Sequence, residues 1–82
     1  MPKKPPDSPI LDARYWKLMK RVAANIKRVR SERRLTQEDM LSLGFERRWF
    51  QRIESGTYSV SLPTLDRLAR AFKVDVSEFF HP

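Results

Sequence analysis

Four side chains carry the most specific chemistry in this 82-residue chain: Arg47, Arg48, Gln51 and Arg52. On a helix advancing about 100° per residue, with Arg47 at 0°, Gln51 falls at about 40°, Arg48 at about 100° and Arg52 at about 140°. Ile53 and Phe50 fall opposite them, at about 240° and about 300°. One face therefore presents long hydrogen-bond donors and the other is apolar. A guanidinium can bond guanine O6 and N7 together, and a glutamine amide can pair with adenine, so such a face suits base edges in a duplex groove. The competing reading is a solvated basic surface. Trp49, at about 200°, sits on the flank, where it either covers the core edge or touches a sugar-phosphate wall.

Composition narrows the chemistry further. Seventeen Lys+Arg against ten Asp+Glu leave a formal charge of +7, with a pI near 10.4. Excess of this density favours a polyanion, nucleic acid before an acidic membrane surface or an acidic protein. Most of it is local: residues 14–34 hold nine Lys/Arg and one acid, Glu32, a net +8. There is no cysteine, which removes disulfides, thiolate zinc sites and cysteine nucleophiles and is compatible with a reducing cytosol. A domain this small buries roughly 60% of its unfolded surface, enough for one core but not for an enclosed active site as well. His81 has no partner histidine, and Glu38-Asp39 is explained by a helix start. No phosphate loop, nucleophile elbow or metal-ligand spacing is present. The expectation is a non-enzyme without metal, cofactor or small-molecule ligand. Apolar runs of two or three residues fall far below the ~18–20 that cross a bilayer, and the stripe of the basic first helix continues into the core-forming Val22, Ile26 and Val29 in place of a membrane-facing surface, so no membrane association is expected.

The elements that must position the donor face can be read from caps and periodicity. Residues 1–9, MPKKPPDSP, hold four of the six prolines and read as a flexible Pro/Lys-rich arm. Ser8 and Pro9 suggest an N-cap and first helical position, with Asp12 in the first turn of a helix running from Ile10 to Arg33 or Arg34. Tyr15, Met19, Val22, Ile26 and Val29 form its stripe. Thr36, with Asp39 three positions on, approximates a capping box for a short helix over about 36–43, which Gly44 ends. The donor-bearing helix follows over about 46–55 and stops at Gly56. Ser61 caps a fourth helix reaching Phe72, with Leu62, Leu65, Leu68, Ala69 and Phe72 as its apolar stripe. Asp75 caps a last short helix, Val76 to Phe80, whose two phenylalanines are expected to close the core. Nothing alternates with period two, so the fold is all-α with five helices, and residues 10–82 form one domain.

A short capped helix, a glycine turn and then the donor-bearing helix resemble the Cro/repressor-type (Xre-like) helix-turn-helix family. The resemblance runs from about Ile26 to Phe80, through Arg30, Leu35-Thr36-Gln37-Glu38, Gly44, Arg52-Ile53-Glu54-Ser55-Gly56, Ser61-Leu62, Leu65, Ala69-Arg70-Ala71-Phe72 and Val74. It implies a lambda-repressor-like DNA-binding domain, here with an extended first helix, whose recognition helix places Arg47, Arg48 and Arg52 on base edges or nearby phosphates. It also implies phosphate contacts from Gln37 and from Thr57, Tyr58 and Ser59, and an ion pair between Arg30 and Glu54. Arg33 and Arg34, beside the motif start, are further phosphate candidates. The chain departs from the family in having one residue fewer between Gln37 and Gly44, in Met40-Leu41 where a small residue is customary, and in Trp49 at a position normally small and polar.

The expected protein is a sequence-specific, double-stranded DNA-binding transcriptional regulator, a repressor or autoregulator. It would act as a homodimer on a palindromic operator and be cytoplasmic and nucleoid-associated. The alternative is a helix-turn-helix module serving mainly a protein partner, as an antitoxin or adaptor. Residues Ile10 to Lys20 exceed what the family fold needs. Tyr15, Trp16 and Met19 in this stretch either pack on Phe79 and Phe80 as extra core or help form a dimer interface.

Overall fold

The computed structural model describes residues 12–82. The expected arm, residues 1–9, and the Ser8-Pro9 cap lie outside the described residues. The first helix, α1, spans Ala13–Glu32. Asp12 does not sit in its first turn, as the sequence suggested, but is its N-cap: the backbone there is extended and the carboxylate accepts the Tyr15 N–H at 3.1 Å. Twenty residues make α1 about 30 Å long.

Three short elements follow. Helix α2 covers Gln37–Ser42, inside the expected 36–43, with Thr36 and Asp39 forming a complete reciprocal capping box. Helix α3 covers Arg47–Ser55, N-capped by Glu46 and ended by Gly56 in the left-handed region. Helix α4 covers Leu62–Phe72 behind its Ser61 cap. The last element, Val76–Phe80, is a 3-10 helix capped by Asp75. The described residues therefore hold four α-helices and a 3-10 helix in place of five α-helices, the last element being tied by the i→i+3 bond from the Glu78 N–H to Asp75 O.

Three of these helices end in the same paired turn. At α2, Gly44 (φ 91°) donates to Leu41 O and Phe45 donates to Met40 O. At α1, Arg34 (φ 59°) donates to Ser31 O and Leu35 to Arg30 O; at α4, Lys73 (φ 60°) donates to Arg70 O and Val74 to Ala69 O. The geometry is that of the left-handed cap that usually carries glycine. Only one of the three uses it.

Packing joins the elements through one core. Val22, Ile26 and Val29 of α1 meet Met40, Phe45, Phe50, Ile53, Leu65, Leu68, Phe72 and Phe79. Of the two terminal phenylalanines only Phe79 closes this core, edge-on to Phe72, while Phe80 stays 40% exposed. Leu62 also departs from expectation, at 74% exposed. It is the first residue of α4 and lies about 70° from the centre of the Leu65-Leu68-Ala69-Phe72 stripe, so its side chain projects from the helix edge. In α2 only Met40 is buried, and Leu41 and the C-cap residue Leu43 are exposed.

Polar contacts tie the C-terminal segment to α1. Buried Asn25 donates from Nδ2 to Phe79 O at 3.1 Å and His81 O at 2.7 Å, and Arg28 reaches Glu78 O at 3.1 Å. Among the described residues no buried side-chain polar atom lacks a hydrogen-bond partner.

Candidate nucleic-acid interface

The donor face stands on a short helix fixed at both ends. Phe50 and Ile53 are buried, and Arg47, Arg48, Gln51 and Arg52 are exposed on the other side of α3. At its N-terminus the Glu46 carboxylate accepts the Trp49 N–H at 2.8 Å. Near its C-terminus Glu54 receives Arg30 of α1, with Nε to Oε2 at 2.7 Å and Nη2 to Oε1 at 3.4 Å. Both side chains are largely shielded, and Arg30 Nη1 continues to Leu35 O at 2.6 Å. One guanidinium thus links α1, the turn into α2, and α3. A single-point ammonium could not reproduce that fork.

The turn between α2 and α3 is held from outside the motif. Arg67 of α4 donates from Nη2 to Gly44 O at 2.8 Å, and its guanidinium lies over the Phe45 ring, 4.4 Å from the centroid. Trp49 stacks on Phe45 with centroids 5.6 Å apart, and Arg67 is 5.8 Å from its ring. Trp49 therefore covers the core edge as part of a Phe45–Trp49–Arg67 stack. A Cβ on Gly44, at φ 91°, would come within 2.8 Å of Arg67 Nη2, so a larger residue there would displace the guanidinium from its bond to the Gly44 carbonyl.

The candidate phosphate contacts lie in several environments. Gln37 opens α2 and is half-buried. Arg33 reaches back to Lys73 O at 3.4 Å, whereas Arg34 is exposed in the turn before α2. Thr57 closes the end of α3, its hydroxyl 2.7 Å from Ser55 Oγ, which itself donates to Arg52 O. Tyr58 lines an apolar groove, and the Ser59 hydroxyl is hydrogen-bonded to the Tyr15 hydroxyl of α1. Arg47 lies 3.8 Å from Glu38. Tyr15, Met19 and Phe80 also line the groove, Trp16 is exposed beside Tyr15, and Phe79 is fully buried.

The cations of α1 divide between two flanks. Lys20 packs against Gly56, where a Cβ would meet its Cγ at 3.2 Å, and Arg30 reaches Glu54, so this side of α1 faces α3. Lys27 shares that flank by helical spacing. Arg28, on the other flank with Arg14, Lys17 and Arg21, binds Glu32 and Glu78.

The profile of a helix-turn-helix domain matches residues 21–79, well over half of the chain. The chain belongs to this helix-turn-helix family. Both α2 and α3 lie within the matched residues, and α3 is the helix presenting the donor face. The family match is consistent with the Cro/repressor-type resemblance and suggests DNA binding. No curated protein and no solved structure matches the chain.

Sequence reading missed Arg67 and the Asn25–Arg28 polar clasp. Arg67 had no local signal, being 23 residues from the carbonyl it binds. The Glu46 cap could have been found, since an acid stands immediately before the arginine-rich helix. Among the described residues no group of three His, Cys, Asp or Glu could hold a metal ion, and no helix is long and apolar enough to cross a membrane.

Proposed function

We propose that this helix-turn-helix protein is a sequence-specific double-stranded DNA-binding regulator of transcription, a repressor or autoregulator acting as a homodimer on a palindromic operator. The supporting observation is the α3 face: four long donors exposed opposite a buried apolar face, on a helix locked by Arg30 and by the Arg67-held turn. A major groove admits one helix so equipped. In this reading α3 enters the groove, and Arg47, Arg48, Gln51 and Arg52 read base edges. Gln37, Arg33, Arg34, Thr57, Tyr58 and Ser59 flank it against the phosphates. Lys20 and Lys27, on the α3 side of α1, add sequence-independent attraction.

The test is a salt titration of binding to random duplex, followed by selection of sites from a random duplex library. Affinity should fall steeply with salt, and selected sites should show paired half-sites about one helical turn apart. No binding to duplex even at low salt would defeat the reading in favour of a protein-binding module.

A further inference from the structure

Helix α3 is tied at each end by a guanidinium from another helix. Near its C-terminus, Glu54 accepts two N–H groups of Arg30. Ahead of its N-terminus, Arg67 of α4 donates from Nη2 to Gly44 O at 2.8 Å, three residues before α3 begins at Arg47. The same guanidinium lies over the Phe45 ring, 4.4 Å from the centroid, and Trp49 of α3 stacks on that ring. Phe45 is fully buried, so the surface that Arg67 covers is itself fixed by the core. Arg67 is exposed, while Leu65 and Leu68 of the same helix carry the core packing.

We infer that Arg67 is a positioning residue for specificity: it fixes the N-terminal end of α3, and with it the aim of Arg48 at the bases, while Arg30 and Glu54 fix the end that carries Arg52. This rests on the DNA-binding reading above and divides its donor face into two separately anchored halves. Arg48 is the second residue of α3, directly before Trp49, and Arg52 lies about 6 Å further along the axis, two residues before Glu54. A helix of nine residues, about 13 Å long, pivots on whichever end stays tied when the other is released. Release at Gly44 therefore swings Arg48 and leaves Arg52 near its place. Bidentate readout needs both N–H groups in line with O6 and N7, so a displacement on the order of 1 Å costs discrimination. A planar ion makes both Arg67 contacts at once, stacking by its face and donating by its edge, which a compact ammonium cannot do.

The experiment measures discrimination, the ratio of affinities for a selected site and a random duplex. It uses the full chain carrying Arg67→Met or Arg67→Lys, alone and combined with Arg48→Ala or Arg52→Ala. Arg67→Met should lower discrimination about tenfold, and Arg67→Lys, which keeps the charge, should lower it while leaving random-duplex affinity unchanged. Either loss should be largely absent in the Arg48→Ala background and persist in the Arg52→Ala background. Should Arg67→Met melt below the assay temperature, Arg67→Lys carries the same comparison. Undiminished discrimination in both Arg67 variants overturns the assignment. An equal loss on both duplexes that Arg67→Lys restores also overturns it and makes Arg67 a phosphate contact. A loss of the same size in the Arg48→Ala and Arg52→Ala backgrounds overturns it too, since that marks a general loosening of the fold. Failure of the DNA reading shows separately, as absence of duplex binding by the parent.

Discussion

Arg30 carries the heaviest structural role of any single residue, because its guanidinium reaches both Glu54 and the Leu35 carbonyl from a mostly shielded position. Removing either partner strands a charge, so Arg30→Ala or Glu54→Ala should each cost about 3–5 kcal/mol in denaturant unfolding. Arg30→Lys should recover only part, since an ammonium cannot span the same three acceptors. On the exposed face the expected effect is on selectivity. Arg48→Ala should leave folding intact and relax preference at one or two base pairs by about 1–3 kcal/mol, measured by competition between a selected site and random duplex. Equal losses on both duplexes would move Arg48 to the phosphate contacts. The donor face was legible because a helical period sorts Arg47, Arg48, Gln51 and Arg52 from Phe50 and Ile53. Arg67 was not, because nothing local marks a guanidinium on α4 as the partner of Gly44 O and the Phe45 ring.

At the scale of elements, the starts of helices were easier to read than their ends. N-caps depend on one side chain accepting the backbone N–H three residues on, as Thr36 accepts from Asp39 and Ser61 from Thr64, whereas a left-handed C-cap can be imposed on a residue that the next element pulls into place. Arg34 and Lys73 hold such positions despite having a Cβ. Lys73→Gly should therefore stabilise the fold by up to about 1 kcal/mol, read from a shift in the urea midpoint. No shift, or a destabilisation, would mean that the Lys73 side chain contributes more than its backbone conformation costs. The capping box also predicts a pH dependence. The Thr36 backbone N–H and hydroxyl hold the Asp39 carboxyl below the usual carboxylate range, and the Ser77 contacts do the same for Asp75. A group whose folded pKa is depressed adds stability that is full above its unfolded pKa and is lost as pH falls through the folded value. Asp39→Asn should accordingly lose less stability than the parent between about pH 4 and about pH 2 in thermal melts.

For the whole molecule, the charge of +7 acts on folding and on binding with opposite signs. Salt screens the repulsion among the unpaired cations of α1 and should raise the melting temperature slightly, while affinity for duplex falls steeply between about 50 mM and about 200 mM. The two flanks of α1 should separate in the same measurement. Lys20→Ala and Lys27→Ala, on the α3 side, should each weaken binding to all sequences and reduce the salt slope by about 1. Arg14→Ala and Arg21→Ala, on the flank shared with Arg28, should change it less. Equal effects from both flanks would mean that attraction comes from net charge and not from placed contacts.

Local sequence determined which segments become helices and which face of α3 is apolar, because capping and periodicity act over three or four residues. It also placed the excess charge on α1. Only the tertiary structure decided that Phe79 is buried while Phe80 stays exposed, and that Arg67 secures the turn ahead of α3. Each of these depends on what lies across the fold, and contacts spanning twenty to fifty residues leave no pattern within a single turn of helix.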